Sequence, residues 1–348
     1  AFRSTPKSLF DVAKIHGKSG FIYVALPMAR PAIIAGLSLV LMETISDFGT
    51  VEFLAVETIT LGIFNLWLGM NNFSAASQLS ILAFTFIVVL LGIELSARKN
   101  QKFNDPRVSS FENKFDEINL RQNIILLSIC LIPIIFGFII PVLILINLSL
   151  QSLNQDNFST FLEISINSIS ISFFAAFLII LFSFIIVVAV KYHGGKKFAF
   201  LSTLAGSGYA FPGVILALGT TFFLSLVQDS INTFFITYDV NWNLTIIGTF
   251  TALLYTYICR FNAIGIGYIN SGIQRISPNL LEAGRLQGVS FEKSLFKIIF
   301  PLIRPSILTG FLIIFVDIIK ELPVTLLLRP FNFETLATYV YQYAKEEM

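Results

Sequence analysis

Seven apolar stretches constrain this chain more than any other feature, because each approaches or exceeds the roughly twenty residues a helix needs to cross a bilayer. They fall at about 28–48, 76–96, 123–148, 164–190, 198–224, 244–262 and 304–328. Lipid offers the backbone no hydrogen-bond partners, so a spanning segment must be a helix or part of a closed barrel. These runs lack the alternation of a barrel strand. The expected fold class is therefore all-α, a polytopic transmembrane helical bundle with the lipid bilayer as its solvent. Charged residues make up only 13% of the 348 residues, about half the share in a soluble domain, too few to cover a water-soluble globule. The net charge of +2 gives no argument for a nucleic-acid partner.

Basic residues set the expected orientation. Arg3, Lys7, Lys14 and Lys18 precede the first span, six Lys or Arg from Arg98 to Arg121 fill the 97–122 segment, Lys191, Lys196 and Lys197 follow the fourth span, and Arg275, Arg285, Lys293 and Lys297 precede the last. Segments 49–75, 149–163 and 225–243 contain no Lys or Arg. This bias assigns the first set to the cytoplasm and alternates correctly across all seven spans. The final segment, 329–348, then falls outside. The two cysteines, Cys130 and Cys259, lie inside apolar runs and exclude a disulfide framework. The two histidines, His16 and His193, make no metal-binding spacing with them. The chain starts at Ala1 without Met and stops at Met348, and both ends are read as truncations of a longer protein.

The chain also repeats itself. DVAKIHG at 11–17 parallels EAGRLQG at 282–288, and ALPMARPAIIAG at 25–36 parallels IFPLIRPSILTG at 299–310. Pro27, Arg30, Pro31 and Gly36 match Pro301, Arg304, Pro305 and Gly310 at one constant offset, and at that offset Glu43 matches Asp317 and Asp47 matches Glu321. Parallel duplication of this kind suits a transporter, whose pathway lies between repeats. The expected domains are a first half at 1–96, a polar cytoplasmic linker at 97–122 around Asn104-Asp105-Pro106, and a second half at 123–348. In each matched loop an acid and small residues start a short helix, a Gly at the seventh position bends the chain, and a later Pro opens the next membrane helix.

Glu282-Ala283-Gly284 with Gly288, followed by Ile298 and Pro301, resembles the EAA loop of binding-protein-dependent ABC importer permeases. Gly284 and Phe300 are mild departures from the family pattern. The first copy, Asp11-Val12-Ala13 with Gly17, is looser, with three fewer residues between Gly and Pro. ALPMARPAIIAGLSLVLMETISDFGTVEFLAV at 25–56 and FVDIIKELPVTLLLRPFNFETLATYVYQYA at 315–344 are similar to the fused, two-half permeases of ferric-iron importers. The resemblance implies a type I importer fold of the MetI-like kind, with about six spans per half, so that early helices of half one and the last helix of half two would be missing here. It implies an inner-membrane location, Fe3+ as cargo from a periplasmic iron-binding protein, and a cytoplasmic ATPase dimer on the two loops. Asp11, Ala13, Gly17, Glu282, Ala283, Gly284 and Gly288 are then the coupling residues. ATP and Mg would sit on the partner, with no cofactor and no catalytic residue on this chain, and the sequence has no G-x-x-x-x-G-K-[ST] phosphate loop. Thiamine, polyamine and sulfate permeases share the EAA loop, so another small solute is the alternative cargo.

Ionisable residues inside a span cost about 2.5–3.5 kcal/mol each and invite a functional reading. Glu43 and Asp47, like Asp317 and Glu321, are spaced by one turn and are expected to share a helix face, with Lys320 placed to neutralise part of the second pair. One expectation is that they line a pathway for a hard trivalent cation, without a fixed metal site. The competing reading makes them interhelical ion pairs, or caps of the outer helix ends near Gly49 and Pro323. Pro133 and Pro141 are expected to kink the third span, and Gly206, Gly208, Pro212 and Gly213 to interrupt the fifth. A membrane-embedded protease is disfavoured, since neither H-E-x-x-H nor G-x-S-x-G occurs. A non-transporting scaffold gives no reason for two loops in register.

Overall fold

The computed structural model describes residues 7–99, 120–151, 158–240, 242–277, 280, 286 and 290–345, and every regular element among them is helical. The second coupling loop, with Glu282, Ala283, Gly284 and Gly288, and most of the 97–122 linker lie outside the described residues. The chain forms two compact units, one of residues 1–37 and 97–162, the other of 38–96 and 163–348.

In the first unit, α1 (Lys7–Ile15) is the short helix expected of the first loop. It ends as the spacing requires. Gly17 adopts φ +65°, Lys18 N–H donates to Ala13 O at 2.9 Å, and Gly17 N–H to Lys14 O at 3.1 Å, the paired bonds of a left-handed C-terminal cap. Ala13 is buried while Asp11 is exposed. The same unit holds α6 (Leu120–Ile134) and α7 (Ile140–Gln151), joined by a π-turn at Ile135–Ile139. Asn123–Gln151 is long and apolar enough to cross a membrane and buries none of its side chains, a surface suited to lipid.

Proline explains three of the π-turns among the described residues. Pro141 cannot donate to the carbonyl four residues back, and its ring crowds that carbonyl. The preceding residue, Ile140, instead donates to Ile135 O, five back. The same device precedes α2 (Leu26–Ser46), where Leu26 N–H reaches Phe21 O ahead of Pro27, and the later helix α13 (Phe300–Ile319), where Phe300 N–H reaches Leu295 O ahead of Pro301. The π-turns Phe21–Ala25 and Leu295–Ile299 occupy equivalent places in the two repeats.

The second unit carries α3 (Gly49–Phe53), α4 (Ile59–Phe64), α5 (Phe73–Lys99), α8 (Phe158–Val188), which begins in the first unit, α9 (Lys196–Ala205), α10 (Gly213–Thr237), α11 (Phe250–Gln274), α12 (Phe291–Ser294), α13, α14 (Pro323–Leu328) and α15 (Leu336–Lys345). Its main core joins α8, α11 and α13 through Ile179, Leu253, Phe261, Ile269, Ile303 and Ile314. Small residues let these helices close up: a Cβ at Gly265 would stand 2.2 Å from Ser183 Oγ, whose hydroxyl donates to Asn262 Oδ1 at 2.6 Å. A second core packs Phe48 and Phe64 with Ala83 of α5 and Val214 and Leu218 of α10.

Two spans differ from expectation, and a third is interrupted where its glycines and proline led us to expect. The 198–224 run is not one helix. It divides into α9, a 3-10 turn at Gly208–Ala210 and α10, which continues to Thr237. Gly208 lies so close to α11 that a Cβ there would meet Cys259 O at 1.9 Å, and Pro212 then starts α10. The 244–262 run begins as a loop, because Asn232 exchanges two hydrogen bonds with the backbone of Leu244 and Gln228 Oε1 accepts from Ile246 N–H. Its helix, α11, starts at Phe250 and runs on through the polar residues to Gln274. The 304–328 run breaks at Lys320–Leu322, since Pro323 has no N–H to extend α13 and opens α14 instead.

Candidate functional site

The break after α13 has a counterpart. Helix α2 ends at Ser46, Asp47 and Phe48 are non-helical, and α3 begins at Gly49. Thr60 Oγ1 donates to Asp47 O at 3.3 Å, so that carbonyl is satisfied by a side chain of α4. Each repeat therefore runs π-turn, long helix, break, short helix. The acids expected to share a helix face do not: Asp47 and Glu321 sit in the breaks, past the ends of the helices that carry Glu43 and Asp317. Helix capping by an acid near Pro323 is present, since Val324 N–H donates to Glu321 Oε1 at 3.3 Å.

The two breaks face a single cleft of about 520 Å³, lined by Glu43, Asp47, Arg260, Lys320 and Glu321 together with Gly49. Asp317 is buried to one side and holds Lys320 Nζ at 2.9 Å. Arg260 and Tyr209 complete the group, and sequence reasoning missed both. Arg260 comes from α11 and sets Nε 3.4 Å from Glu321 Oε2. Tyr209, in the turn before α10, donates its hydroxyl to Glu43 Oε1. The signal for Arg260 was available, because a guanidinium within an apolar helix demands a partner. Nothing in the sequence around Tyr209 distinguishes it from an interfacial aromatic.

Gly213 makes room for the pair. A Cβ there would lie 2.3 Å from Arg260 Nη1 and 2.8 Å from Glu321 Oε1. Behind Glu321, Thr325 Oγ1 donates to its carbonyl at 2.6 Å and shares a 2.6 Å hydrogen bond with the buried Tyr257 hydroxyl. Among the described residues, no three His, Cys, Asp or Glu side chains are grouped to hold a metal ion. The cleft lining mixes carboxylates with a guanidinium and an ammonium.

A second cleft, of about 830 Å³, shares Gly49 and Leu322 with the first and is walled by α15. Here Tyr341 Oη donates to Glu52 Oε2 at 2.6 Å, and Lys345 Nζ lies 3.2 Å from Glu52 Oε1. Burial, followed by the hydrogen bond to Glu52, raises the Tyr341 phenol above its ordinary 10.0.

Residues 1–109 and 185–342 match the family model of the binding-protein-dependent transport system inner membrane component. The chain belongs to this family. It is accordingly a multi-pass protein of the bacterial inner membrane, and its all-α fold is that of a transport permease. Its similarity to the Fe(3+)-transport system permease protein FbpB 2 of Haemophilus influenzae is 23% identity over 98% of this chain and 66% of that protein. To the ferric transport system permease protein FbpB of Actinobacillus pleuropneumoniae it is 27% identity over 43% of this chain and 20% of that protein. The chain thus spans a little under two thirds of the length of the first permease and a fifth of the second.

Proposed function

We propose that this permease component passes ferric iron through the inner membrane, released to it by a periplasmic binding protein and driven by ATP hydrolysis in separate cytoplasmic subunits. The observation that carries the reading is the cleft where both repeats meet. Glu43 and Asp47 from one and Lys320 and Glu321 from the other share a wall in a chain whose relatives bear ferric-transport names. Oxygen-rich side chains attract a hard cation, while the lack of a three-ligand cage among the described residues suits release over storage.

Residues 1–96 and 123–348 serve as the two halves and 97–122 as their cytoplasmic linker. Asp11, Ala13 and Gly17 in the first loop, and Glu282, Ala283, Gly284 and Gly288 in the second, receive the ATPase dimer, on which ATP and Mg reside. The left-handed cap at Gly17 gives α1 a fixed exit angle, which a lever must have to transmit force. The chain itself performs no catalysis.

The test is reconstitution in proteoliposomes with the cognate ATPase and binding protein. ATP-dependent uptake of radioactive iron, reduced in Glu43→Gln and Asp317→Asn at normal protein levels, is the expected result. Uptake of thiamine, putrescine or sulfate in place of iron would overturn the cargo, and unchanged iron uptake in both variants would remove the acids from the pathway.

A further inference from the structure

The Arg260 side chain is only 9% exposed, yet its hydrogen-bonding capacity is largely unused. A guanidinium carries five N–H donors. Here Nε and Nη1 are both buried without a hydrogen bond among the described residues, and the contact to Glu321, at 3.4 Å, is an ion pair without good hydrogen-bond geometry. Buried donors left unpaired are costly, and native proteins seldom retain them without a reason. Arg260 also lines the charged cleft. Lys320 lines the same cleft with its side chain 61% exposed and, among the described residues, is paired with Asp317.

We propose that Arg260 and Lys320 form an oxyanion subsite beside the carboxylates of Glu43 and Asp47 in the same cleft, so that the cleft takes a cation that still carries its own oxyanion ligand. The pairing of charges supports this. A bare trivalent cation would find two of the acids already engaged, Glu321 by Arg260 and Asp317 by Lys320, and would be repelled by both cationic groups. A free anion would meet Glu43 and Asp47. A cation–oxyanion complex answers both halves: the metal lies toward Glu43 and Asp47, and the oxyanion toward the guanidinium fork, which suits planar and tetrahedral oxyanions alike. The inference rests on the ferric reading for the identity of the cation, and on Arg260 with Lys320 for the anion.

The subsite can be tested without iron. The full chain, purified in a phospholipid-free detergent so that no lipid phosphate competes, is heated with sodium phosphate or with sodium chloride at equal ionic strength. In wild type, phosphate is expected to raise the unfolding midpoint weakly, because the acids oppose a lone anion. In Glu43→Gln/Asp47→Asn, phosphate should act at roughly tenfold lower concentration, since two neighbouring negative charges are gone. In Arg260→Gln/Glu321→Gln, which removes both members of the buried pair and so leaves no orphaned charge, the phosphate response should vanish while the midpoint in chloride stays measurable. No phosphate-specific response in Glu43→Gln/Asp47→Asn would overturn the proposal. So would an undiminished response in Arg260→Gln/Glu321→Gln, or equal responses in wild type and Glu43→Gln/Asp47→Asn. Failure of iron uptake in proteoliposomes would overturn the ferric reading and leave the phosphate result standing, so the two claims fail separately.

Discussion

Arg260 reaches from α11 to Glu321 in the break before α14, Nε to Oε2 3.4 Å apart, with both side chains less than a tenth exposed. The pair ties the second repeat's break to α11, a helix of the main core. Removing one member leaves an uncompensated charge in a dry setting, which costs about 3–5 kcal/mol, whereas replacing both with apolar groups of similar volume is often neutral. Arg260→Met and Glu321→Leu alone are therefore expected to unfold at much lower temperature in detergent, and the double variant near the wild-type midpoint. Equal loss in all three would mean that packing, not charge, holds the break.

The turn between α9 and α10 rests on one close approach. A Cβ at Gly208 would stand 1.9 Å from Cys259 O, against backbone that cannot step aside, while a Cβ at Gly219 on α10 meets nothing within 4 Å. Gly208→Ala should reduce the yield of folded protein and lower its midpoint by an amount equivalent to about 1–3 kcal/mol of overpacking. Gly219→Ala should be neutral or slightly stabilising through helix propensity. Folded yield and thermal midpoint in detergent check both.

At α15, the Tyr341 phenol is raised above 10.0 by burial and by Glu52. The unfolded chain loses this proton near pH 10 while the folded chain keeps it, so the unfolded state binds fewer protons and stability falls as pH rises. The contribution is intact below about pH 10 and lost progressively above it. Tyr341→Phe should flatten the alkaline arm of the stability profile and delete one phenol from the late part of an absorbance titration. A wild-type Tyr341 that ionises with the exposed tyrosines would refute the contact with Glu52.

Much of this architecture was readable before any coordinates, and the exceptions have physical causes. Hydropathy located α2, α5, α8 and the α6–α7 run, because lipid selects for length and apolarity and little else. The interruption of 198–224 was legible in Gly208 and Pro212. Hydropathy misjudged 244–262 and 304–328, where the side chains of Asn232 and Gln228 held a loop in the first and Pro323 ended the second. The repeat was visible in Pro27, Pro301 and the paired acids, and it correctly marked equivalent elements. Spacing alone did not choose between a shared helix face and the helix ends for Asp47 and Glu321, which lie past the ends of their helices. Nor could it supply Arg260 and Tyr209, which come from segments outside the repeat and join the cleft only through tertiary packing.

Gly17 offers the most direct test of the coupling role. Its φ of +65° costs a residue with a Cβ roughly 1–2 kcal/mol, yet the space around it is open, so substitution strains the backbone without a clash. Because α1 is short and mostly exposed, that strain should be relieved by melting its last turn and not by unfolding the membrane helices. Gly17→Val is thus expected to leave the thermal midpoint unchanged while lowering the ATP hydrolysis that the binding protein stimulates in the reconstituted complex. Gly17→Asn, whose side chain tolerates the left-handed region, should retain most of it. If Gly17→Val and wild type hydrolyse ATP alike under that stimulation, the cap at the end of α1 does not transmit force, and the first loop is a connector only.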